Sequence, residues 1–101
     1  MENKRIVEML DRGLSASCYD EIPASMLPAL YGYVAEGKRP GGFLTAVIEN
    51  NLLAAVSRAD ARNLKALPVW VKFFYNCTPS ECFGSVEKMR EWMKARQCEV
   101  E

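Results

Sequence analysis

Residues 60–76 read Asp60-Ala61-Arg62-Asn63-Leu64-Lys65-Ala66-Leu67-Pro68-Val69-Trp70-Val71-Lys72-Phe73-Phe74-Tyr75-Asn76, and two secondary structures compete for them. Val69 to Tyr75 is rich in β-branched and aromatic residues, which favour strands. Against that, Asp60 is a good helix N-cap, and Leu64, Leu67, Val71 and Phe74 recur at helical spacing, widened by Trp70 and Phe73. The helix accounts for more of the segment, with Pro68 expected to kink or interrupt it.

Upstream, Lys38-Arg39-Pro40-Gly41-Gly42 is a turn by composition. From Phe43, the set Leu44, Val47, Ile48, Leu52, Ala55 and Val56 keeps helical spacing to about Ala59, and Asn50-Asn51 is a candidate break. Ala24 to Glu36 repeats Met26/Leu27, Leu30/Tyr31 and Val34, with Pro28 tolerated in the first turn and Gly37 available as a stop. Near the N-terminus, Ile6, Met9 and Leu10 define a short amphipathic helix that Gly13 is expected to end in a left-handed conformation. Residues 14–21 read as a loop.

Downstream, Cys77 to Gly84 lacks periodicity. Ser85 then caps a last helix with Val86, Met89, Trp92 and Met93 inward, and residues 97–101 read as a frayed tail. No period-two pattern is long enough to compel a strand. The expected fold is therefore all-α, a compact bundle of five or six short helices in one domain over residues 1–101, with residues 1–13 as a peripheral helix.

Half of the 101 residues are apolar and 26% are charged, a composition typical of globular domains. Thirteen basic residues balance thirteen acidic ones, so no net field draws the chain to nucleic acid or to an anionic membrane. The charged N-terminus and the lack of a 20-residue apolar run predict a cytoplasmic protein with no membrane partner. In that compartment Cys18, Cys77, Cys82 and Cys98 are expected to be free thiols.

The chain has no histidine, which removes the usual general base and the triads built on it. Cys77/Cys82 is the one close cysteine pair and is too widely spaced for a typical zinc knuckle. Ser85-Val86-Glu87-Lys88 matches a Ser-x-x-Lys pattern, but helix capping explains it better. We therefore expect no enzyme, no cofactor and no metal.

Two features point to binding. Lys38, Arg39, Gly41 and Gly42 precede a helix, where free N–H groups and cations can receive an anion such as a nucleotide, although a simple turn explains the glycines better. Arg58, Arg62, Lys65 and Lys72 fall on one face if the helix after Asp60 continues the preceding turn. That basic stripe is either a solvated face or a surface for an acidic protein or nucleic acid. Lys38, Arg39, Arg58, Arg62, Lys65 and Lys72, with a part-exposed Tyr33, are the candidate partner-binding residues.

A pattern runs through residues 22–92. It includes Ile22-Pro23, Tyr33-Val34, Gly37, Pro40-Gly41-x-Phe43-Leu44-x-Ala46-Val47, Arg58-Ala59-Asp60-x-x-Asn63, Tyr75-Asn76, Gly84-Ser85 and Trp92. In these residues the chain resembles a family of small proteins encoded by tailed bacteriophages and prophages. It departs from the pattern at Asn51, where aspartate is usual, and at Phe83, where tryptophan is usual. The resemblance brings no assigned activity. It implies a non-enzymatic accessory protein made in the bacterial cytoplasm that binds a host or phage protein, for example as an anti-CRISPR or similar inhibitor of host defence.

Overall fold

Three helix starts carry a side chain able to hold a free backbone N–H, and the computed structural model uses all three caps. It describes residues 3–100, with side chains described for residues 3–97. The elements are α1 (Asn3–Leu14), α2 (Leu27–Glu36), α3 (Gly42–Ile48), α4 (Leu52–Arg58), α5 (Ala61–Cys77) and α6 (Val86–Val100). Short 3₁₀ turns at Ser17–Tyr19, Ala24–Met26 and Ser80–Cys82 link them, and no strand occurs among the described residues. The fold is an all-α bundle.

Asp60 accepts from the Asn63 N–H at 2.8 Å, Asn51 from the Ala54 N–H at 3.1 Å, and Ser85 from the Lys88 N–H at 3.1 Å. Gly37 ends α2 at φ 73°, a left-handed position that a Cβ disfavours. The same glycine lies so close to α6 that a Cβ would sit 2.7 Å from the Met93 carbonyl oxygen.

One core unites the helices. Ile6 and Leu10 of α1, Leu30, Tyr33 and Val34 of α2, Leu44 and Ile48 of α3, Trp70, Phe73 and Phe74 of α5, and Met89 of α6 are all buried in it. The radius of gyration, 12.6 Å, is that of about 100 residues folded around a single core.

α1 packs on α2 and α5, with Ile6 and Leu10 fully buried as its contribution to the core. Several expectations need correction. Gly13 lies inside α1 and does not terminate it. Its role is close approach, since a Cβ there would come within 2.8 Å of the Cys77 side chain. Pro68 leaves α5 unbroken. Pro68 and Leu64, whose carbonyl loses its donor, are both exposed, so solvent can satisfy that group.

The C-terminal segment is helical through Val100, and Gln97 donates to the Gly37 carbonyl at 2.9 Å, so the frayed tail is not observed before Glu101, which lies outside the described residues. Asn50 adopts φ 62° and ends α3, as the Asn50-Asn51 reading anticipates. The break also shifts the helical phase. On α4 only Ala55 is buried, while Leu52 and Val56 face outward.

Candidate functional site

The basic stripe depends on α4 and α5 being one helix, and they are not. Ala59 and Asp60 are both extended, which turns the chain between them. Arg58 consequently leans on the start of α3, donating to the Gly42 carbonyl at 3.4 Å. Arg62 and Lys65 line a small cleft that also contains Asp20 and Glu21, so their positive potential is partly offset. Lys72 stays exposed further along α5.

The turn residues are divided as well. Lys38 pairs with Glu36 at 3.0 Å, Gly42 is overlaid by Arg58, and Arg39 alone faces α6. Gly41 is exposed and caps α3 without a side-chain contact. Tyr33 is not on the surface at all. It is fully buried because α2 is covered by α1 on one side and α6 on another, and its hydroxyl donates to the Cys82 carbonyl at 2.6 Å. Burial accordingly pushes its ionisation far above the ordinary tyrosine range. The neighbour Tyr31 sits at the edge instead, donating to the Asp11 carboxylate.

What the structure assembles on α5 is an apolar ridge. Leu64, Pro68, Val71 and Tyr75 recur at intervals of four, three and four residues, a narrow arc of one helix face, and all four are exposed. Tyr75 is 77% accessible, Val71 53% and Leu64 46%. Lys65 and Lys72, each one residue beyond a ridge member, form a cationic flank.

No family model, curated protein or solved structure matches the chain. The site therefore rests on its own geometry.

The ridge exists because the core face of α5 is rotated from the expected one. The buried positions are Asn63, Ala66, Trp70, Phe73 and Phe74. Asn63 is 4% exposed and is tolerated there because its side-chain oxygen accepts from the Trp70 indole. With that polar pair inside, Leu64 and Val71 turn outward. Trp70, Phe73 and Phe74 at spacings of three and one carried the signal, but an asparagine among them obscured it.

No group of three or more cysteine, aspartate or glutamate side chains placed to hold a metal occurs among the described residues. Cys18 is exposed, Cys77 half-buried and Cys82 buried, all three as free thiols, while Cys98 falls outside the described side chains. The Cys82 thiol is pushed up to about 12, chiefly by burial, which suppresses the reactive thiolate. No helix among the described residues is long and apolar enough to cross a membrane.

Proposed function

We propose that this protein is a non-enzymatic binding protein that docks an acidic amphipathic helix of a partner protein on the outer face of α5. The observation carrying the reading is the ridge Leu64–Pro68–Val71–Tyr75, exposed along three turns with lysines on one flank. Contiguous apolar exposure edged by charge is the usual mark of a protein-binding surface, and tyrosine is enriched where binding energy concentrates.

The charge pattern selects the partner. A helix laying an apolar stripe on the ridge meets Lys72 and Lys65 along one edge, so carboxylates there are favoured, most of all beside Lys72, because Lys65 is partly offset by Asp20 and Glu21. A second copy of this chain is a poorer occupant, because antiparallel self-pairing of α5 sets the lysine flank against itself. Nucleic acid is disfavoured by the dispersal of the cations: Arg58 leans on Gly42, and Arg62 lies across from Asp20 and Glu21.

On the resemblance to phage and prophage proteins, the partner we propose is a protein of a bacterial host cell. An inhibitor of a host defence system, such as an anti-CRISPR, is the biological role we propose on that basis.

A photo-crosslinking amino acid at Tyr75, introduced in bacterial cells, tests the surface, with the same group at Lys88 on α6 as control. The expected result is a bacterial protein joined at Tyr75 and not at Lys88. Purified, it should bind the wild-type chain in a salt-dependent way and bind Val71→Glu at least about tenfold more weakly. Crosslinking only between copies of this chain, or a partner indifferent to Val71→Glu in a folded variant, would overturn the reading.

A further inference from the structure

On α6, away from the ridge, a cleft of about 460 Å³ opens between that helix and the turn following α2. Its wall carries Arg39 from the turn and Arg90 and Lys94 from successive turns of α6, with Glu49 as the one carboxylate among its lining residues. Its floor is Met89, which is buried, and Met93, which is half-buried. Among the described residues neither Arg39, Arg90 nor Lys94 makes an ion pair, whereas Lys38 beside them is paired with Glu36.

The turn that presents Arg39 is held in place before any ligand arrives. α6 supplies donors to the last carbonyls of α2 and to the turn: Trp92 to Val34 at 3.2 Å, Arg96 to Ala35 at 3.2 Å, and Gln97 to Gly37 at 2.9 Å. Those carbonyls have no partner within their own helix. On the far side, the Thr45 hydroxyl donates to the Pro40 carbonyl at 3.2 Å. The backbone that carries Arg39 is thus fixed relative to α6, and charge presented from a preorganised frame binds more tightly than charge that must be gathered.

We propose that this cleft binds a nucleoside phosphate. Three cations lining one cleft favour a multiply charged anion, and guanidinium groups match phosphate oxygens in pairs. A bare phosphate would leave most of the volume and the thioether floor unused. A nucleoside fills them, its base lying on Met89 and Met93 and a ribose hydroxyl or exocyclic amine donating to Glu49.

Titration calorimetry of the full chain with ADP, GDP and UDP tests the assignment, with adenosine and inorganic pyrophosphate as fragments. At least one diphosphate is expected to bind saturably at one site. Its parent fragments should bind at least about tenfold more weakly, as should the folded double variant Arg39→Ala/Arg90→Ala. Lys38→Ala, outside the cleft, and Val71→Glu, on the ridge, should leave the affinity unchanged. No saturation by any of the three diphosphates at millimolar concentration, pyrophosphate binding as tightly as they do, or binding retained by the double variant would overturn it.

Discussion

The Trp70 indole N–H donates to the Asn63 side-chain oxygen at 3.1 Å across two turns of α5, with both residues buried. This bond satisfies two polar groups on the inward face of α5, which Trp70, Phe73 and Phe74 dominate. Asn63→Ala leaves the indole donor without a partner and is expected to lower stability by about 1–3 kcal/mol. The double variant Asn63→Leu/Trp70→Phe should recover part of that loss, because it removes both halves of the pair. Urea unfolding of the two variants and of each single change checks the coupling, and strictly additive losses would contradict it.

Two apolar residues of α5 should respond oppositely. Phe73→Ala empties part of the core and is expected to remove about 3–5 kcal/mol. Val71→Ala, on the ridge, should stay within about 0.5 kcal/mol. Thermal melts of the two variants distinguish this register from one that buries Val71.

Gly37→Ala meets two obstacles, the left-handed backbone at φ 73° and a Cβ position 2.7 Å from the Met93 carbonyl oxygen. The substitution should destabilise by more than about 1 kcal/mol, in contrast to a glycine in open space such as Gly41. Because the same turn carries Arg39, Gly37→Ala should also weaken any ligand held in the α6 cleft.

Alkaline pH should weaken the fold. Tyr31 is pushed up to about 12 by burial and by its bond to Asp11, and Cys82 to about 12 chiefly by burial. Unfolded, these groups release their protons near 10.0 and 9.0. The folded state therefore holds more protons between those limits. The associated stability is complete below about pH 9 and is lost as pH rises towards 12. Urea midpoints measured across that range should fall, and Tyr31→Phe should flatten the fall between about pH 10 and 12.

Much of the architecture was readable from short-range chemistry. Asp60, Ser85, Asn51 and Gly37 mark helix ends by mechanisms confined to four or five residues, and each does so in the fold. What could not be read was phase. The left-handed Asn50 separates α3 from α4, and α5 buries Asn63, Ala66, Trp70, Phe73 and Phe74, so Leu52, Leu64 and Val71 lie outside although their spacing suggests burial. Tyr33 fails for a related reason: a helix flanked by α1 and α6 buries a wider arc than one lying on a single neighbour.

The charged residues were identifiable, but their neighbours were not. Glu36 beside Lys38, Gly42 beneath Arg58, and Asp20 with Glu21 opposite Arg62 are relationships of tertiary structure. Arg90 and Lys94 do not stand out, because the helix carrying them reads as an ordinary core element. Their alternation with Met89 and Met93 was nevertheless visible at four-residue spacing.

The meeting of Gly13 with Cys77 gives the molecule a gauge of its own opening. α1 rests so closely on that thiol that there is no room even for a methyl group between them. A thiol reagent can reach Cys77 fully only when the N-terminal helix lifts, whereas Cys18 labels at once and Cys82 waits for wholesale unfolding. Lifting of the first helix uncovers the remainder of this half-buried thiol, so its labelling should quicken under conditions that loosen α1.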